Sequence, residues 1–197
     1  MTGVEAKPRA GLPRWADVAI AIGVLALLSP VLAVAALAIK LESRGSIFYM
    51  SRRAGQNGEP LELVKLRTMR PGSDPVGIGE PVYAGDARVT RVGAVLRRLS
   101  VDEIPNLLNV LRGELAIVGP RPTLEAQVEL YTPHQRRRLD VKPGITGWAQ
   151  VNGRTGIGWD ERIELDVWYV QNRRPMLDMR ILLRTAGLLV TGHGLYG

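Results

Sequence analysis

The chain has 197 residues, 46% of them apolar, enough for one modest domain and a short additional segment. Its net charge of +7 calls for an acidic counterpart: nucleic acid, anionic lipid or a phosphorylated substrate. The absence of cysteine excludes disulfides, thiolate zinc sites and cysteine nucleophiles, and a 5% aromatic content with a single Phe argues against base-stacking platforms.

From Val18 to Ile39 the sequence VAIAIGVLALLSPVLAVAALAI carries no charge. As a helix it would reach roughly 33 Å, the thickness of a bilayer core. Two details bear on its topology. Pro30, with Ser29 before it, removes a backbone donor at the midpoint, which predicts a kink tolerated in a membrane. Cations flank both ends: Lys7, Arg9 and Arg14 before, Lys40, Arg44, Arg52 and Arg53 after. Since cations favour the cytoplasmic side, both ends ask for the same side of the bilayer. A helix bent at Ser29-Pro30 that returns through its own leaflet satisfies both ends; a straight span and a long secretory signal remain the alternatives.

Beyond Glu42 the composition turns to mixed charged and apolar. Ile47 to Met50 and Leu61 to Leu66 predict short strands joined through the turn residues Asn57-Gly58. Residues 71–86, rich in Gly, Pro and Asp, predict a loop. Val92 to Leu99 predicts a helix. Ile104, Leu107, Leu108 and Leu111 form one apolar helical face. Leu115 to Val118 predicts a strand, and Thr123 to Tyr131 and Pro133 to Leu139 predict helices. Residues 142–158, with five glycines and a proline, predict a long structured loop. Trp159 to Asn172 and Leu177 to Val190 predict helices. The last carries Arg180 and Arg184 one turn apart and suits either core packing or the membrane surface. His134 and His193 lie far apart without metal-ligand spacing.

The most informative stretch is Arg97-Arg98-Leu99-Ser100-Val101-Asp102-Glu103-Ile104-Pro105-Asn106. Pro105 belongs in the first turn of a helix, so the helix starts near Asp102. The two carboxylates then sit at the positive end of its dipole, which favours their ionised form. An ionised carboxylate can attack phosphorus, and its neighbour, on another face, can hold a metal or a cation. The plain alternative is capping, since Ser100-x-x-Glu103 has the form of a capping box. Around the pair lie cations suited to phosphate. Arg121 sits in the rigid turn Gly119-Pro120-Arg121-Pro122, Lys65 and Arg67 end a strand two residues apart and so share a face, and Arg154 ends the glycine-rich loop. Each alone reads as a solvated surface charge. Together they resemble a clamp for a diphosphate, an anion that a divalent metal commonly helps neutralise.

With these motifs in order, the chain resembles the bacterial sugar transferases, and among them the small monotopic polyprenyl-phosphate phosphoglycosyl transferases. The resemblance runs from about Trp15 to Asn172. It rests on LLSP at 27–30, KLRTM at 65–69, the Asp-Glu pair at 102–103 followed by PNLLNVLRGE, IVGPRP at 117–122 and KPGITGWAQVNGR at 142–154. It implies an α+β fold. A tail (1–14) leads to a re-entrant membrane helix-break-helix (15–42) broken at Ser29 and Pro30. A small, mostly helical catalytic domain follows (43–197), with a short β-hairpin and membrane-surface helices. It implies a ping-pong reaction. Asp102 attacks the sugar-linked phosphate of a UDP-sugar, UMP leaves, and the phosphate of a polyprenol, undecaprenol in such enzymes, takes the phosphosugar from the aspartate. Glu103 supports metal binding or proton handling, and the dyad acids Asp102 and Glu103 are the implied ligands of magnesium. Arg97, Arg121 and Arg154 match phosphate-contacting arginines, and Lys65 matches a strand lysine near the site. The implied location is the cytoplasmic face of the inner membrane, against a phospholipid bilayer, at the first membrane step of glycoconjugate or exopolysaccharide synthesis. Homo-oligomerisation stays open, as do the sugar and the pathway.

Two other classes compete. A membrane-anchored scaffold has no need of the Asp102-Glu103 pair. A nucleic-acid binder requires a basic stripe with aromatics or a helix-turn-helix pattern, and neither occurs.

Overall fold

A computed structural model describes residues 10–73, 85–153 and 157–191. The loop expected at 71–86 falls largely at 74–84, and Lys7, Arg9, Arg154 and His193 are likewise outside the described residues. The fold is α+β, as expected.

The apolar segment forms one helix, α1 (Arg14–Glu42), the one described helix long and apolar enough to cross a membrane. It is continuous through Ser29 and Pro30, where the sequence predicted two segments. The reason lies in the Ser-Pro pair. Pro30 has no N–H to give the carbonyl of Ala26 four residues back, and the Ser29 hydroxyl donates to that carbonyl instead, at 2.8 Å. A serine thereby repairs the acceptor that the proline orphans.

Both ends of α1 are fastened to the rest of the chain. Near the start, Arg14 donates to the carbonyl of Leu111, and the Asp17 carboxylate accepts from the amide of Ile117. At the far end, the Glu42 carboxylate accepts from the amides of Arg91 and Val92, the unsatisfied donors opening α2 (Arg91–Arg98). Packing follows the same division. Ala21 is in the main core, and Ala35 and Ile39 are in a second cluster with Leu66, Leu96 and Val101. Between and around these contacts Ile22, Leu27, Val31, Val34 and Leu37 stay exposed.

The hairpin is β1 (Phe48–Ala54) against β2 (Pro60–Leu66), antiparallel, with Tyr49 opposite Lys65 and Arg53 opposite Leu61. Its turn holds Asn57 at φ 58° and Gly58 at φ +81°, left-handed conformations that Asn and Gly tolerate best. After α2 the chain turns at Ser100 into a 3-10 turn, Val101–Asn106, which runs on into α3 (Leu107–Arg112). α3 is locked onto β2 by Asn109, which is fully buried. Its Oδ1 accepts from the amide of Val64 at 3.0 Å, and its Nδ2 donates to the carbonyl of Glu62 at 2.7 Å. The side chain thus serves the strand as a neighbouring strand would.

β3 (Ala116–Val118) pairs in parallel with β4 (Gly144–Thr146). The sequence predicted only a loop over 142–158, yet this stretch holds β4 and a short helix, α6 (Trp148–Asn152). Its glycines misled because they serve close packing as well as turning. A Cβ on Gly144 would lie 2.1 Å from the backbone nitrogen of Gly119, so only glycine lets these strands approach. The helix expected over Thr123 to Tyr131 is a single turn, α4 (Glu125–Val128), because the Thr123 carbonyl is held extended by the amide of Ala54. α5 (Pro133–Arg136), α7 (Trp159–Asn172) and α8 (Pro175–Thr191) follow where helices were expected. α8 buries Leu177, Asp178 and Ile181 and exposes Met176, Met179 and Leu183, so it packs on the core and presents an apolar outer face at once.

Candidate active site

The elements converge on a cleft between the hairpin, the 3-10 turn and the β3–β4 pair. Its walls include Arg53, Lys65, Glu103, Asn106, Arg121 and Gly144. Each arrives by a separate route. Lys65 is at the end of β2. Glu103 and Asn106 come from the turn that Asn109 docks onto β2. Arg121 follows β3, in a loop pinned where the Pro120 carbonyl accepts from the amide of Gly144 and the Arg121 carbonyl accepts from Arg138.

The cleft is organised by Glu103. Its Oε1 accepts from Lys65 Nζ at 2.7 Å and from Arg121 Nη2 at 2.6 Å, while its Oε2 accepts from Arg121 Nη1 at 3.2 Å. Burial alone would raise the Glu103 pKa. The charges of Arg121 and Lys65, with their hydrogen bonds, outweigh it and hold the carboxyl far below the usual range. The Arg121 guanidinium is held charged in return, chiefly by Glu103.

Asp102, one residue earlier, is treated oppositely. It is buried and makes no ion pair among the described residues. Its pKa is raised, first by burial and then by the neighbouring Glu103 charge; Lys65 and Arg97 pull it down without restoring it. This corrects the expectation that a helix dipole favours its ionised form. Asp102 sits in a two-turn 3-10 segment, and there desolvation wins. The capping alternative also lapses. Ser100 adopts a left-handed conformation, φ 54°, and its side chain caps nothing, while Glu103 reaches across to Lys65 and Arg121. A non-glycine residue in that region is a local strain often found at functional sites.

The structure brings Asp102, Glu103, Lys65 and Arg121 together. Arg97 is adjacent: its Nε donates to Thr68 Oγ1 at 2.9 Å, and its charge reaches Asp102. Arg67 does not join them. Its guanidinium donates to the carbonyls of Ser43 and Arg44 and to Ser43 Oγ, closing the end of α1. The alternation that placed it beside Lys65 ends with the strand at Leu66, and the next residue is pulled toward the carbonyls of Ser43 and Arg44, just past α1.

Several residues were missed by sequence reading. Arg53 lines the cleft from β1, where it had counted only as a flanking charge. Asn106 and Asn109 lie inside PNLLN, whose apolar spacing drew attention away from its amides. Arg138 and Asp166 form a buried ion pair behind the Arg121 loop, with Arg138 also donating to the Tyr131 hydroxyl. Burial raises Asp166 to about 6 against the opposing pull of Arg138. Only the abundance of arginine in RRRL hinted at such a role.

Comparison with known proteins places this geometry in context. A family model described as bacterial sugar transferase matches residues 9–192. An uncharacterized sugar transferase of Bacillus subtilis, EpsL, is 42% identical over 93% of this chain and 90% of its own length. The UDP-glucose:undecaprenyl-phosphate glucose-1-phosphate transferase of Caulobacter vibrioides is 41% identical over 96% of this chain and 77% of its own length. The exopolysaccharide production protein ExoY of Sinorhizobium fredii is 39% identical over 91% of this chain and 86% of its own length.

Proposed function

The chain belongs to the bacterial sugar transferases, and from that premise we propose that it moves a sugar-1-phosphate from a UDP-sugar to undecaprenyl phosphate. The observation that carries this reading is the split dyad: Glu103 is locked in an ion cluster, and the buried carboxylate beside it is committed to no cation. An enzyme that needs one carboxylate to organise cations and another to react requires this division.

The steps follow. Lys65 and Arg121, held by Glu103, and Arg97 beyond them draw in the diphosphate of the donor. An oxygen of ionised Asp102 attacks the sugar-linked phosphorus. The bond from that phosphorus to the bridging oxygen breaks, and UMP leaves with the bridging oxygen and its electrons. The aspartyl phosphate that remains is an acyl phosphate. An oxygen of the polyprenyl phosphate attacks it, the bond to Asp102 breaks, and the carboxylate is restored with a lipid diphospho-sugar as product. Burial that raises the Asp102 pKa also strips its anion of water, leaving a more reactive nucleophile.

Magnesium is part of this proposal. Among the described residues no group of three or more acidic or histidine side chains could hold a metal. That suits magnesium, which is commonly held by one or two carboxylates together with substrate phosphates. Asp102 fits as such a carboxylate; Glu103 fits less well, because Lys65 and Arg121 occupy its oxygens. When bound, the ion would neutralise charge on the diphosphate.

The proposal extends to the membrane. Segment 15–42 keeps to one leaflet of the inner membrane as an unbroken helix bent at Pro30, with both ends at the cytoplasmic face where residues 43–197 work. Support comes from the ends of α1, both hydrogen-bonded to one catalytic body through Asp17 and Glu42, and from the exposed apolar surface between them. A straight span would separate those ends by the bilayer. The reacting carboxylate would then lie at the headgroup plane, where the acceptor phosphate is.

The test is direct. Protein in nanodiscs is given undecaprenyl phosphate and a panel of UDP-sugars, and UMP release is measured for each. With the active donor and no lipid, mass spectrometry should find one phosphosugar on the peptide containing Asp102. Product formation with that peptide unmodified throughout would end the covalent mechanism.

A further inference from the structure

The cleft beside Asp102 contains more than Glu103 and its two cations. Glu103 is the one acidic residue among the described residues that line it, and both of its oxygens are taken by Lys65 and Arg121. The side chain of Arg53, on the β1 side, makes no hydrogen bond or salt bridge among the described residues. Burial, and then the like charge of Arg121, weigh against its charged form, with Tyr49 and Glu103 only partly offsetting them. A half-buried guanidinium facing another cation is held at a cost that an incoming anion removes.

Asn106 lines the same cleft. It is 5% exposed, and its Oδ1 is buried without a hydrogen-bond partner among the described residues. Buried amide oxygens are nearly always satisfied, so this one points to an absent donor. The two demands are of opposite kinds. An anion alone leaves the Asn106 oxygen unsatisfied, and a cation alone would be repelled by Arg53. A phosphate ester bearing hydroxyls meets both, with an anionic oxygen for the guanidinium and an O–H for the amide. The lipid acceptor offers the phosphate but no hydroxyl on its tail.

We propose that Arg53 and Asn106 form a donor subsite, in which Arg53 pairs with a phosphate oxygen of the nucleotide sugar and Asn106 accepts from one of its hydroxyls. The assignment rests on the transferase reading above and specifies which residues, beyond the dyad's own cations, hold the donor. It also explains the paired register of the hairpin. β1 and β2 bring Arg53 and Lys65 to one cleft, so the hairpin serves the donor from both strands while Asn109 fixes the turn that carries Asn106.

Binding and turnover together test it. Full-length protein in nanodiscs is titrated with UDP by calorimetry, and donor and acceptor KM values are measured with the UDP-sugar that the wild type uses. Arg53→Gln should weaken UDP binding and raise donor KM about tenfold, with acceptor KM within twofold of wild type. Arg53→Lys should recover part of this loss, since a point charge replaces a fork. Asn106→Ala should weaken UDP binding three- to tenfold, the value of one hydrogen bond. Melting curves keep folding separate, and Arg53→Lys and Asn106→Ala decide the case if Arg53→Gln does not fold. Unchanged UDP binding in the folded variants overturns the subsite. A change confined to acceptor KM also overturns it, assigning Arg53 to the lipid phosphate. Wild-type protein that binds UDP without transferring sugar phosphate would end the transferase reading while leaving the subsite to be judged by binding. Wild-type protein that does not bind UDP would end both.

Discussion

Arg121 grips Glu103 through two parallel hydrogen bonds, Nη2 to Oε1 at 2.6 Å and Nη1 to Oε2 at 3.2 Å, across eighteen residues of chain. Lys65 closes the cluster from β2. This fork holds the 3-10 turn, the β3 loop and the hairpin at one point, and Asp102 is adjacent to that point without belonging to it. Ion pairing is therefore concentrated on one of two neighbouring acids, Glu103.

Replacing Asp102 by Asn should separate the two. UMP release should fall by on the order of 10⁴-fold or more, as expected for loss of a nucleophile. Stability at neutral pH should rise by about 1 kcal/mol, because a buried, unpaired charge is removed. In the wild type, UMP release should be lost as pH falls, at a pH above the ordinary aspartate value, since the folded pKa is raised. Stopped-flow UMP detection across pH and differential scanning calorimetry check both parts. An acid limb at or below the ordinary value would count against Asp102 as the reacting group.

Replacing Glu103 by Gln should do the reverse. It leaves Lys65 and Arg121 without their anion, at a cost of about 2 kcal/mol. Breaking a fully buried pair costs more, but the Glu103 side chain keeps 26% exposure. The sign with pH is set by its depressed pKa. The wild-type advantage is full above the unfolded carboxylate value of about 4.3 and fades as pH falls toward the folded value. Urea unfolding of both proteins at neutral and acidic pH should show the gap narrowing in acid.

Asn109→Ala should destabilise by about 2–4 kcal/mol, leaving the buried Val64 amide and the partly buried Glu62 carbonyl without their partner. Asn109→Asp should be worse, because a carboxylate cannot donate to Glu62 and meets Glu114 at close range. If Asn109→Asp retained wild-type melting, the strand-mimicking role would be wrong.

The Arg138–Asp166 pair predicts both a pH dependence and a distal effect on catalysis. Asp166 is raised to about 6, so its contribution to stability is fully present below about 4 and is lost as pH rises through about 6. Arg138→Met should cost about 3–5 kcal/mol by stranding that carboxylate. It should also lower kcat, because the Arg121 carbonyl loses its donor. Activity measured well below the melting temperature distinguishes this loosening from global unfolding.

The chain has no cysteine, so single cysteines report topology cleanly. Ala10→Cys and Ser46→Cys, flanking α1, should react with an impermeant maleimide from the same side of sealed vesicles. Labelling from opposite sides would replace the one-leaflet arrangement with a span. Ser29→Ala should destabilise the helix by about 1 kcal/mol, leaving the Ala26 carbonyl unsatisfied, as thermal unfolding in nanodiscs would register.

Much of this was legible in the residues alone. The apolar run, the Asn57-Gly58 turn and the helix Trp159–Asn172 rest on local pattern, and each was found where expected. That Lys65, Arg121 and Glu103 meet, with Asp102 adjacent, was legible because these residue types stand in short motifs. What misled was chemistry with two meanings. Glycines near 144 signalled a loop and made a strand contact, and strand alternation carried one residue too far at Arg67.

The sequence by itself determined which side chains could do chemistry and where an apolar helix had to form, because residue type and short-range periodicity are local properties. Only the tertiary structure decided how those side chains are shared. Glu103, not Asp102, takes Lys65 and Arg121; Arg67 goes to α1; Arg53 and Asn106 face the cleft. The physical reason is that charge pairing and desolvation depend on distances between residues far apart in the chain, and packing alone sets those distances.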